Sequence, residues 1–116
     1  MGFQVRRVYE AAQEADGVRV LVDRLWPRGL AKARAAVDEW PKELTPSGEL
    51  RTWFHAHPEE HGEFERRYRA ELAAPELAEP LRRLRGLAAH RTVTLLTAVK
   101  DPDRSHVPVL LGRLSA

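Results

Sequence analysis

The sequence contains no cysteine. This absence excludes disulfide bonds, thiolate nucleophiles, thiolate metal sites and iron–sulfur clusters. Long apolar runs are also missing, since no stretch approaches the roughly 18 residues that a membrane span needs, and residues 1–7 lack the apolar core of a secretion signal. We therefore expect a cytoplasmic protein with no membrane partner.

Lysine is scarce, so arginine carries most of the positive charge. The 116 residues include 19 Lys and Arg against 17 Asp and Glu, which gives a formal net charge of +2. Apolar residues make up 43% and charged residues 31%, a composition typical of one globular domain with a single core. Surfaces that bind nucleic acid usually carry a large positive charge, so a net charge this small argues against nucleic acid as a partner.

Two β-branched apolar runs, residues 18–23 and 92–99, predict buried strands, and a weaker strand is predicted over residues 3–9. Between the strong runs, helical apolar stripes recur at spacings of three or four residues. These stripes are formed by Phe64, Tyr68 and Leu72, and by Leu77, Leu81, Leu84 and Ala88. The order of elements predicts a single layered α/β domain over residues 1–116, with a small, mainly parallel sheet and helices packed on it.

Proline and serine mark the predicted helix boundaries. Pro46-Ser47 predicts the start of a short helix, and His57 is the predicted N-cap of the next one. The third helix begins at Pro75 or at Pro80. Ser105 is the predicted N-cap of the last helix.

The charged helix faces favour structural roles. Glu63 and Arg67, like Glu79 and Arg83, are four residues apart and predict ion pairs on solvated helix surfaces. The three histidines of residues 55–61 lack the carboxylate–histidine spacing of metal sites, and no Gly-rich phosphate loop of Walker or Rossmann type is present. We predict no metal and no cofactor.

Both strong strands end in polar chemistry. In open parallel sheets, ligands bind outside the carboxyl ends of the strands. If the two strands are parallel neighbours, three cations form a pocket for phosphate or carboxylate, and one indole forms its wall. A carboxylate and an imidazole would then serve there as base and acid. The cations are those of Arg24, Arg28 and Lys100, and the indole is that of Trp26. The base would be Asp23 and the acid His106.

Several of these candidate site residues also have a simpler, structural interpretation. Asp23 can pair with a neighbouring arginine or a backbone amide, and Trp26 can be a core anchor. His106 can be a helix-start residue without catalytic work, and Lys100 can be a solvated charge.

The phrase over residues 19–29, RVLVDRLWPRG, resembles the signature of domain-of-unknown-function family 488, in its short YeaO-like bacterial branch. The resemblance spans nearly the whole chain. It implies a compact α/β domain and no established activity. Its further matches are residues 38–40, 50–54, 64, 67–68, 71–72, 94–98, 100–101 and 106.

The chain departs from more distant members of the wider family at three positions. More distant members carry Cys-His-Arg at the start of the last helix and another cysteine at the end of the preceding strand, where this chain has Ser105-His106-Val107 and Thr97. Thiol chemistry therefore does not carry over. Ser105 beside His106 suggests a hydroxyl nucleophile activated by an imidazole. Adjacent residues of a helix do not face each other, however, so this geometry disfavours the role.

Two functions of different classes follow. The first is a small enzyme or sensor, monomeric or weakly homo-oligomeric, that binds an anionic or phosphorylated small molecule at the strand ends. The second is a non-enzymatic module whose Trp26-Pro27-Arg28 turn grips a protein or nucleic acid. An enclosed pocket favours the first and a flat surface the second. A separation above about 12 Å between Asp23 and His106 would rule out a shared site, because charge coupling is screened at that range.

Overall fold

The structure is a computed structural model that describes residues 2–115. Three strands, β1 (Gly2–Arg7), β2 (Val18–Leu21) and β3 (Thr92–Thr97), form one sheet in the order β1-β3-β2. Both pairings are parallel. The fold is therefore α/β, and the two strong predicted strands are parallel neighbours.

Within the described range, the helices cover most of the chain between β2 and β3 and follow β3 to the end. None of them is long and apolar enough to cross a bilayer. The helices are α1 (Lys32–Ala35), α2 (Gly48–Ala56), α3 (His61–Leu72), α4 (Ala78–His90) and α5 (Val107–Ser115).

Both faces of the sheet are buried, which explains why β2 is part of a nearly continuous apolar run. Val20 and Leu95 lie in the core that α2 to α5 form on one face. Leu21 and Leu96 lie on the other face, where the segment that contains α1 covers them. The helical stripes lie in the first core, and their buried members are Phe64, Tyr68, Leu72, Leu81, Leu84 and Ala88.

A buried ion pair anchors β2 to the turn before it. Arg19 Nη1 donates to Asp16 Oδ2 at 2.5 Å, and both residues are buried. Arg6 Nη1 donates to the other carboxylate oxygen at 2.8 Å. Burial acts to raise the pKa of Asp16, but the Gln13 N–H and the two guanidinium groups outweigh it and hold the pKa below its usual range. The charge of Arg19 is thus matched inside the fold.

The predicted cap at His57 is wrong. His57 is the C-cap of α2, where its N–H donates to Phe54 O and its ring stacks on Trp53. A residue before proline avoids the helical conformation, so Pro58 ends α2 here, and α3 begins only at His61.

The third predicted helical segment begins at Pro75, one of the two predicted prolines. Residues Pro75–Leu77 form a 3-10 turn, and α4 then begins at Ala78. Pro80 falls in the first turn of α4, where a helix leaves backbone N–H groups unpaired, so its missing N–H costs little.

One of the two predicted helix ion pairs is wrong. Glu63 accepts from Arg67 at 2.7 Å, as predicted. Glu79, however, pairs with Arg82, and Arg83 reaches Glu39 instead. Glu39 lies in the segment that hydrogen-bonds to β2, so this tertiary contact replaces the local pair.

Gly17, which precedes β2, gives the first testable prediction. Its φ is +63°, and a Cβ there would lie 2.1 Å from the carbonyl oxygen of Thr92. We expect Gly17→Ala to lower the free energy of unfolding by about 3 kcal/mol, because the backbone must shift to relieve the overlap. Urea denaturation measures this change.

The matched control is Gly86→Ala in α4, where a Cβ meets open space. We expect it to stabilise the protein by up to about 1 kcal/mol through helix propensity. Similar effects of the two substitutions would contradict the close packing of Gly17 against β3.

Candidate functional site

A cleft of about 430 Å³ lies at the carboxyl ends of β2 and β3. The segments that follow the two strands form two of its sides, and α2 contributes a third. Parallel neighbours deliver their following loops to the same sheet edge, which is why residues distant in sequence meet here. The lining residues are Asp23, Arg24, Leu25, Trp26, Pro27, Arg28, Pro46, Arg51, Phe54, His55, Phe64, Ala98, Val99, Asp101, Arg104, Ser105 and His106.

The Asp23 carboxylate is the polar centre of the cleft wall. Its Oδ1 accepts from Thr97 Oγ1 at 2.7 Å, and its Oδ2 accepts from the Ala98 N–H at 2.7 Å. His106 Nε2 lies 3.3 Å from Oδ1. Asp23 therefore joins the end of β2, the end of β3 and the residue before α5. The predicted proximity of Asp23 and His106 is confirmed.

These contacts keep Asp23 ionised. Burial acts to raise its pKa, but the hydrogen bonds from His106, the Ala98 N–H and Thr97 outweigh it and hold the pKa of Asp23 below its usual range. Both carboxylate oxygens already have partners. This carboxylate is therefore suited to orienting its neighbours more than to taking a proton from a ligand.

His106 is held by its Nε2 atom. Nε2 lies 2.7 Å from the backbone oxygen of Val22. A carbonyl oxygen only accepts hydrogen bonds, so Nε2 carries a proton in either charge state of the ring. Tyr68 contacts the ring edge-on, with centroids 6.3 Å apart. Nδ1 has no hydrogen-bond partner within residues 2–115, so it is the ring nitrogen left for a molecule in the cleft.

Four guanidinium groups line the cleft, from Arg24, Arg28, Arg51 and Arg104. Arg24 is partly buried, and its Nη1 donates to Thr45 Oγ1 at 3.2 Å and to the Pro46 carbonyl at 3.3 Å. Within residues 2–115, none of the four forms a salt bridge, whereas Arg66 and Arg67 of α3 and Arg82 and Arg83 of α4 pair with glutamates. The cleft therefore carries excess positive charge.

Aromatic rings form part of the apolar wall. Trp26 is fixed by the bond from its Nε1 to the Leu30 carbonyl at 2.7 Å and by an edge contact with Trp40. Phe54 stacks on the buried ring of Phe64, with centroids 4.2 Å apart. These rings are held in place by their packing, so the wall has a defined shape.

The structure brings five of the six predicted site residues together and leaves out Lys100, which is exposed and does not line the cleft. Val99 and Asp101 on either side do line it, as expected when alternate residues of a non-helical segment point in opposite directions. Asp23 pairs with neither Arg24 nor Arg28.

Three lining residues on α2, Arg51, Phe54 and His55, were not predicted as part of the site. Their local pattern indicates only a short helix with an apolar side. Their place at the cleft depends on how α2 packs beside the strand ends, and no motif in the sequence signals that packing.

The hydroxyl groups of Ser105 and Thr97 near the cleft form hydrogen bonds with other groups of the protein. Ser105 Oγ donates to the Pro102 carbonyl at 2.6 Å and accepts from the Val107 N–H at 3.1 Å. Thr97 Oγ1 donates to Asp23 and accepts from the Val99 N–H. Ser105 therefore supports the start of α5, close to its predicted capping role.

The Asp23 contacts predict a pH-dependent loss of stability. We expect Asp23→Asn to lower the free energy of unfolding by about 2 kcal/mol at pH 7, because the amide cannot accept at both oxygens. The native pKa of Asp23 lies below its usual value, so its stabilisation is complete above about pH 4 and is lost as the pH falls further. Urea denaturation across this range should show parent and variant converging at low pH.

Asp103→Asn is the matched control, since Asp103 is exposed and makes no side-chain hydrogen bond or salt bridge within residues 2–115. An equal loss of stability in both variants, or a constant difference for Asp23→Asn down to low pH, would contradict the assignment.

Comparison with known proteins identifies the family. The family model described as "Inactive DUF488-N3 subclade" matches residues 2–116. The chain is 46% identical over 110 residues to the uncharacterized protein YeaO of Escherichia coli, covering 95% of this chain and 94% of YeaO. It is 45% identical over 112 residues to the uncharacterized protein Rv3073c of Mycobacterium tuberculosis, covering 97% and 92%. No solved structure matches. The chain therefore belongs to the DUF488 family, in its YeaO-like branch, as the motif over residues 19–29 indicated.

Proposed function

We propose that this protein binds an anionic small molecule in the cleft at the strand ends and acts as a sensor or binding protein. The observation that carries the proposal is the set of four cleft arginines that have no carboxylate partner within residues 2–115. Unpaired guanidinium groups around a concave, partly aromatic wall suit the recognition of carboxylate or phosphate.

Three further observations favour binding over catalysis. The side-chain oxygens of Asp23, Thr97 and Ser105 all form hydrogen bonds within the protein. The sequence also has no cysteine to act as a nucleophile. The family model that matches is described as inactive. In this proposal Asp23 positions His106, and Nδ1 of His106 contacts the anion.

The alternative is a module whose Trp26-Pro27-Arg28 turn grips a macromolecule. Pro27 is buried, and the two other residues of the turn border a cleft instead of a flat surface. This concave shape favours a small molecule. We further propose a cytoplasmic, monomeric or weakly homo-oligomeric protein that requires no cofactor and has no nucleic-acid or membrane partner.

A thermal-shift screen with phosphorylated and carboxylate metabolites tests the proposal. A ligand present at one hundred times its Kd stabilises the folded state by about 2.7 kcal/mol, which raises the Tm of a domain this size by about 10 °C. We expect Arg28→Ala to weaken binding about tenfold, since hydrogen bonds to charged groups contribute about 1.5–3 kcal/mol.

Arg91→Ala is the matched control, because it removes the same charge at the opposite end of β3 and outside the cleft. It should respond to the metabolite like the parent. The proposal fails if no metabolite raises the Tm, or if Arg28→Ala and the parent respond equally.

A further inference from the structure

The charge of the cleft points to more than one negative charge on the ligand. The lining contains four arginines and two aspartates. Asp23 is already hydrogen-bonded by Thr97, Ala98 and His106. A single carboxylate would leave most of the guanidinium charge unmatched. A phosphomonoester carries about −1.5 to −2 at neutral pH and offers three acceptor oxygens.

The cleft arginines come from different elements of the fold. Arg24 and Arg28 follow β2, Arg51 belongs to α2, and Arg104 precedes α5. The side chains of Arg28, Arg51 and Arg104 make no hydrogen bond within residues 2–115, so their forked N–H groups are free to donate. Guanidinium forks match phosphate oxygens in geometry.

The size and wall of the cleft suit a larger molecule than phosphate. Its volume of about 430 Å³ falls in the roughly 300–1,000 Å³ range of sites that hold whole small-molecule ligands. Phe64 covers one face of Phe54, and Phe54 is partly exposed where it lines the cleft. Trp26 supplies a second ring. Rings fixed in this way form stacking platforms for a flat aromatic group.

One acceptor remains for the rest of the ligand. The exposed carboxylate of Asp101 caps no backbone N–H and forms no salt bridge within residues 2–115. It can accept hydrogen bonds from hydroxyl or amino groups. From these features we infer that the cleft binds a nucleoside monophosphate, with its phosphate among the arginines and its base against Phe54 and Trp26. This inference rests on the proposed function.

Isothermal titration calorimetry at pH 7 tests the inference. The probes are the four common nucleoside 5′-monophosphates, the matching nucleosides and inorganic phosphate. We expect at least one monophosphate to bind about 100-fold more tightly than its nucleoside and than phosphate. Arg104→Ala should weaken both the monophosphate and phosphate about tenfold. Phe54→Leu should weaken the monophosphate about tenfold and leave phosphate binding unchanged.

Phe3→Leu is the matched control for the aromatic change, because Phe3 packs against the core outside the cleft, and it should bind like the parent. If Phe54→Leu does not fold, Trp26→Leu replaces it with the same expectation. Binding of phosphate, with no monophosphate tighter than phosphate, overturns the inference and leaves the proposed function standing. Absence of binding by every probe overturns the inference, and the proposed function falls with it only if no metabolite raises the Tm in the thermal-shift screen.

Discussion

The hydrogen bonds to the Asp23 carboxylate hold the candidate site together. They join the end of β2 to Thr97 and Ala98 at the end of β3, and to His106 at the start of α5. Each of these hydrogen bonds joins two segments that are far apart in the sequence. A largely buried carboxylate without these donors would be costly, so the three segments are held in one arrangement. The position of the loop that carries Arg24, Trp26 and Arg28 depends on this arrangement.

The strand order explains why that carboxylate lies where ligands bind. β3 is the central strand and pairs with β1 and β2, both in parallel. Helices and the α1 segment cover the two faces of the sheet. The carboxyl edge is left for the segments after β2 and β3, and α2 adds Arg51 and Phe54 beside them. Charge and aromatic surface thus meet at one edge, although the net charge of the chain is only +2.

Local patterns predicted the parts of the fold that local physics decides. Strand runs, helical stripes and the rule that ligands bind at strand ends were enough to place Asp23 beside His106. Features decided by tertiary packing were not predictable in this way. The cleft position of Arg51 depends on how α2 docks, and Arg83 reaches Glu39 across the fold instead of its helical neighbour. His57 was assigned to the wrong helix because Pro58 is compatible with both a helix end and a helix start.

In the proposed function the strand-end cleft, and not the arginine-rich helix surface, binds the anion. A ¹H–¹⁵N NMR titration of the labelled protein with inorganic phosphate tests it most directly, because it reports on every backbone amide at once. We expect shift changes to concentrate in residues 23–28, 51–55 and 98–106. Changes that concentrate on the exposed arginines of α3 and α4, or no changes at millimolar phosphate, would contradict it.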